Sequence, residues 1–142
     1  MIKNGRQSEV DALKKLIAER PYIKFHGNLE QKELAQELGK ACVWLYPTNF
    51  LETFCITALE MQASKVYSIV RKWGALPERF TNEANAKIID SDCETISEVQ
   101  KYAKAVVHAL NDKSWRHNSF KIEDHSWGKV ALEWIERFSL SR

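Results

Sequence analysis

The sequence predicts an α/β fold, a Rossmann-like parallel sheet with helices on both faces. Three observations carry this expectation. Short apolar runs alternate with amphipathic helical runs at the spacing of right-handed βαβ units. One run, Ala41-Cys-Val-Trp-Leu-Tyr46, is apolar without a break, as in a parallel strand covered on both sides. A polar turn, Pro47-Thr-Asn-Phe-Leu51, and a helix-forming stretch follow it, and such strand ends are where doubly wound sheets bind ligands.

Taken in order, Ser8 can cap a helix from Glu9 to about Glu19, with Val10, Leu13, Leu16 and Ile17 on one face. Pro21 ends it, Tyr22–His26 reads as a short strand, and Gly27-Asn28 turns the chain. Gln31–Gly39 is a helix with Leu34, Ala35 and Leu38 inward, and Cys42–Tyr46 is the apolar strand. A helix over Thr53–Ala63, a strand over Val66–Val70 and a short strand over Ala86–Ile89 come next. Glu98–Leu110 is helical, Asn111–Ser114 turns into more helix, and a last helix runs from about Ser126 to Phe138. No repeat, low-complexity tract or linker interrupts the chain, so 1–142 reads as a single domain.

With 142 residues and 44% hydrophobic content, the chain can bury one core. Its 21 basic and 19 acidic side chains leave a net charge of +2, too balanced for nucleic acid as a main partner. Cys42, Cys55 and Cys93 are odd in number and widely spaced, which reads as free thiols and a cytoplasmic setting. No CxxC pair or His-x3-His spacing supports a metal site. No apolar run approaches the ~20 residues of a transmembrane helix.

Chemistry concentrates in Glu52-Thr-Phe-Cys-Ile-Thr-Ala-Leu-Glu60, at the mouth of a helix that follows a strand. Free N–H groups and the positive end of the helix dipole suit a phosphate there, through Thr53, Phe54 and Cys55. A carboxylate at the turn can bind a sugar hydroxyl. A second, eight residues on and about 80° round the helix, can reach a ribose. This arrangement suits a nucleotide-sugar. Residues 47–54 and 71–78 both fall at strand ends, so the two turns should share a rim.

An ordered series of motifs runs through nearly the whole chain. It comprises Ile23-Lys-Phe-His-Gly27, then Glu33-Leu34 with Ala41, Val43, Leu45 and Pro47. Glu52 and Glu60 in E-x7-E spacing come next, followed by Met61. Gly74-Ala-Leu-Pro77-Glu78 and a late Ser126-Trp127 with Val130 and Trp134 complete it. The series resembles the donor-binding C-terminal half of GT-B glycosyltransferases, the retaining class with an E-x7-E motif (glycosyl transferases group 1).

That resemblance implies roles. Glu52 would contact the donor sugar and help carry charge as the bond to phosphate breaks, and Glu60 would bind the ribose. Gly27 and Gly74 would bring backbone close to the donor, and Trp73 could stack on a base or sugar. Where the family often has Phe-Gly, this chain has Phe54-Cys55, so a side chain is expected to crowd the phosphate. Plainer readings stand beside these. Glu52 could simply favour the helix dipole, Glu60 be a solvated helix residue, Gly74–Glu78 an ordinary turn, and Arg71 and Lys72 surface charge.

The resemblance also implies a fragment truncated at its N-terminus. The family's first strand, with its Gly-Arg and Lys-Gly turns, has no counterpart, and Met1–Gly5 matches the end of the second strand. Transfer by the chain alone is then not expected. An exposed sheet edge and an apolar patch of Trp127, Val130, Trp134, Ile135 and Phe138 would receive an acceptor-domain partner chain or a second copy. Such a partner could also place the protein at a membrane periphery. The alternatives are a non-catalytic nucleotide-sugar binding module and a self-associating remnant without ligand.

Overall fold

The computed structural model describes residues 4–80, 84–117 and 126–139. By their contacts they divide into two compact units, which meet in the sequence at Leu34 and Ala35.

The first unit holds helix α1 (Asn4–Ala18). Asn4 and Gly5 are helical, so they do not end a strand, and Met1–Lys3 lie outside the described residues. Ser8 accordingly sits within α1 rather than at its cap, because the helix continues upstream of it. The helix closes when Arg20 donates its backbone N–H to the Ile17 carbonyl and its guanidinium to the Leu16 carbonyl at 2.8 Å. The strand expected over Tyr22–His26 is irregular chain instead. Ile23 turns its N–H back to Arg20, and the described residues of the first unit hold no strand for this segment to pair with. Gly27 takes φ +66°, the left-handed conformation that suits glycine in the turn after it. Helix α2 (Gln31–Leu38) carries the chain past the division between the units.

The second unit is built on three parallel strands, β1 (Val43–Tyr46), β2 (Tyr67–Arg71) and β3 (Ala86–Ile89), in the order β1-β2-β3. Val43 faces Tyr67 and Tyr46 faces Val70 across the first pair, and Val70 faces Ile88 across the second. Alternation along the strands sends side chains to two cores. On one face Val70 and Ala86, with Trp44, Tyr46 and Ile88, pack against Cys55, Ala58, Leu76 and Phe80. These come with helices α3 (Ile56–Ala63) and α4 (Leu76–Arg79). On the other face Ile69 and Ile89, with Val43 and Tyr67, pack against Tyr102 and Ala109 of α5 (Ile96–Asn111). The expected α/β architecture with both faces covered is therefore present. Ile69, Val70, Leu76 and Ala58 are fully buried, and the three larger ones each contribute roughly 1.5–3 kcal/mol.

Helix α5 begins two residues ahead of its expected start because Thr95 caps it. Thr95 Oγ1 accepts from the Glu98 N–H, while the Glu98 carboxylate accepts from the Thr95 N–H at 3.0 Å. The Thr95 side chain holds the Glu98 carboxyl below its ordinary value. That stabilisation is complete above the ordinary carboxylate pKa and is lost as pH falls through the lowered one. Thr95→Ala should cost about 1 kcal/mol, read as a lower urea midpoint at unchanged slope. Inside α5, the buried Tyr102 hydroxyl donates to the Ser91 carbonyl. A 3-10 turn (Ser114–His117) follows, and Trp115 donates its indole N–H to the Ala109 carbonyl at 2.8 Å.

The last helix, α6 (Trp127–Ser139), leaves Leu132, Trp134 and Ile135 each 62% exposed. The side chains of Trp127 and Phe138, which the sequence assigns to the same patch, lie outside the described residues. Among the described residues no helix is long and apolar enough to cross a membrane.

Candidate functional site

Two loops leave the carboxyl ends of β1 and β2 and close on each other. The first runs from Pro47 to Cys55 into α3, the second from Lys72 to Ala75 into α4. Gly74 presses against the backbone of Glu52. A Cβ on Gly74 would stand 2.5 Å from the Glu52 carbonyl oxygen and 2.9 Å from its nitrogen. Gly74 also holds φ +55°, so glycine meets both the steric and the conformational demand here. Its neighbour Ala75 donates its N–H to that same carbonyl at 2.8 Å. The two sequence-predicted turns thus share one rim, as expected, and they touch at Glu52 and Gly74.

Three further contacts fasten the loops. Arg71, the last residue of β2, donates to the Asn49 side chain and lays its guanidinium 4.7 Å from the Trp73 ring centroid. Arg79, in α4, places its guanidinium 4.4 Å from the Phe54 ring centroid. Gln62, buried in α3, donates to the carbonyls of Ala58 at 3.2 Å and of Arg79 at 3.1 Å. Trp73 is 39% exposed beside Arg71, so part of its surface remains open to a ligand.

The helix that carries the site starts later than the sequence suggests. Cys55 is its N-cap, and Thr53 and Phe54 lie in a bend ahead of it. No side chain caps it. Ala58 has already given its N–H to the Cys55 carbonyl at 3.0 Å. Of the four N–H groups a helix start leaves open, those of Cys55, Ile56 and Thr57 remain to meet an anion. Glu52 stands outside the helix, so the loop and not a helical step of about 100° per residue sets its relation to Glu60. Glu60 is half-buried one turn into α3.

Cys55 corrects a second expectation. It adopts φ 61°, ψ 77°, the left-handed region, yet its side chain is buried among Ala58, Val70, Leu76 and Phe80. The thiol therefore fills core space beneath the rim instead of standing on the open surface, where the sequence had suggested it. Burial, and to a lesser extent the Glu52 carboxylate, pushes its pKa up, so it persists as a thiol at neutral pH. Cys55→Gly should be nearly neutral, because relief of the left-handed strain offsets the lost packing. Cys55→Val should cost about 1–3 kcal/mol, because a β-branched residue is strained at positive φ. Chemical denaturation of the two variants separates these effects.

Tyr46 carries a signal that the sequence reading missed. Its hydroxyl donates to Glu52 Oε1 at 2.7 Å, and burial followed by this carboxylate raises its pKa. Asn49 and Arg79 were missed as well. An apolar strand ending in tyrosine six residues before a motif glutamate could have pointed to the first of these. Gly27 belongs to the first unit. Among the described residues no group of three or more His, Cys, Asp or Glu could hold a metal ion.

The sequence model of glycosyl transferases group 1 matches residues 4–124. No curated protein matches the chain. The match spans the three parallel strands and both rim loops, and the chain belongs to the glycosyl transferases group 1 family.

Proposed function

We propose that this chain is the donor-binding half of a retaining GT-B glycosyltransferase and that it holds a nucleotide-diphosphate sugar on the β1–β2 rim. One observation carries the reading most directly, the contact of the Glu52 turn with the Gly74 turn at the carboxyl ends of two parallel strands. The carboxylate of Glu52, the uncapped start of α3 and the half-exposed Trp73 belong to these two touching turns, which supports the reading.

In this reading Glu52 accepts from hydroxyls of the donor sugar, and Glu60 accepts from the vicinal hydroxyls of the ribose. The N–H groups of Cys55, Ile56 and Thr57 receive the diphosphate, and Trp73 stacks on the base or the sugar. Preorganised donors at a departing diphosphate stabilise the charge that grows there. Arg71 at the end of β2 and Arg79 in α4 lay their guanidinium groups on Trp73 and Phe54 of these loops. The acceptor is held elsewhere, by a further domain or a partner chain docked on the sheet edge and on the exposed face of α6. A cytoplasmic setting fits the free thiols of Cys42, Cys55 and Cys93.

Calorimetric titration of the chain with UDP, GDP and ADP tests this reading. One of the three should bind, and Glu60→Ala should weaken it about tenfold or more, through loss of charge-assisted bonds to the ribose. Absence of binding by all three at millimolar concentration would refute a donor site in this chain.

A further inference from the structure

We infer that Tyr46 is the positioning residue of the donor site, fixing the Glu52 carboxylate for the sugar. This inference rests on the proposed nucleotide-sugar site. It adds a residue that E-x7-E spacing does not mark.

Glu52 sits in an irregular loop, and a glutamate there has several rotatable bonds to order before it can hold a ligand. Tyr46 is of the opposite kind. It ends β1, is locked in register opposite Val70, and has few torsions. Its ring stacks on Trp44, two residues earlier on the same strand face, with centroids 4.8 Å apart and planes 16° from parallel. Both rings pack on the core that includes Cys55 and Leu76. The phenol is therefore a rigid arm reaching from the sheet to the rim.

At its tip the hydroxyl donates to Glu52 Oε1 at 2.7 Å, the short range of a bond to a charged acceptor. One carboxylate oxygen is thereby occupied and oriented. The Cys55 thiol also interacts with this carboxylate, so two side chains of the packed core hold its orientation. The Glu52 backbone is held separately, through its carbonyl, by Ala75. Main chain and side chain are thus each fixed by a different element, β2's loop for one and β1 for the other. A carboxylate held in its binding rotamer loses little further entropy when it accepts a sugar hydroxyl.

Tyr46→Phe tests the inference, because phenylalanine keeps the Trp44 stack and removes only the donor. The chain and its variant are titrated with UDP, GDP and ADP, and with the same diphosphates bearing glucose. The readout is the ratio of the two affinities for the preferred base, so that a loss of folded protein affects both and cancels. Wild type should favour the sugar-bearing form, and the variant should lose about three- to tenfold of that preference with its diphosphate affinity unchanged. An unaltered preference in Tyr46→Phe overturns the positioning role while leaving the donor site standing. If wild type binds neither form, the donor-site reading itself fails, and this inference fails with it.

Discussion

Gly74→Ala is expected to destabilise the second unit by about 2–5 kcal/mol and to abolish ordered donor binding. The left-handed conformation alone costs a residue with a Cβ roughly 1–2 kcal/mol, and forcing atoms into a filled space adds about 1–3. Here the atoms met are the Glu52 carbonyl oxygen and nitrogen, at 2.5 and 2.9 Å. They are backbone and cannot swing aside as a flexible side chain would. The loop can make room only by moving Glu52, which also breaks the Ala75–Glu52 hydrogen bond. Gly39→Ala is the matched control. A Cβ there meets carbonyls at 3.6 Å, an ordinary contact, so its urea midpoint should differ from wild type by no more than about 1 kcal/mol of stability.

Replacing Glu52 with alanine should have the largest effect on specificity. The variant should bind a nucleoside diphosphate as wild type does and lose about 10- to 100-fold in affinity for the corresponding nucleotide-sugar. Hydrogen bonds to a charged group are worth about 1.5–3 kcal/mol, which gives that range. The fold should survive the change, since the backbone bond to Ala75 remains and the lost Tyr46 hydrogen bond is worth only about 1.5 kcal/mol. Titration of both ligands against both proteins checks the outcome. An equal loss for the two ligands would place Glu52 at the phosphates rather than at the sugar.

The second unit was largely legible in the sequence because its signals are local and agree with one another. The unbroken apolar run at 42–46, the strands at 66–70 and 86–89, and helix α5 all recur within one or two residues, whereas α3 starts later and the short α4 stands where a turn was expected. Those β-branched and aromatic runs are read correctly because they have a sheet to join. Tyr22–His26 has the same composition and forms no strand. Its outcome depends on pairing partners, which composition does not reveal. Ser8 misled for a related reason, since a residue favoured at caps can also lie inside a helix that begins earlier.

At the site, the sharing of one rim by the two turns followed from their places at strand ends. How they lock did not. The Gly74 contact, the Tyr46–Glu52 bond and the Arg79–Phe54 stack join residues 22, 6 and 25 positions apart, with 74 − 52, 52 − 46 and 79 − 54 giving these separations. The inward turn of Cys55 was equally hidden, because it depends on a left-handed φ that cysteine rarely adopts. The sequence suggested a side chain on the rim, and the backbone turns it into the core.

Hydrogen–deuterium exchange of the chain with and without a saturating nucleotide-sugar tests the central claim most directly. Slowed exchange should be confined to residues 47–57 and 71–78, the two loops and the start of α3. Protection centred instead on the hollow between β3 and α5, lined by Tyr67, Lys87 and His108, would contradict a donor site at the carboxyl rim.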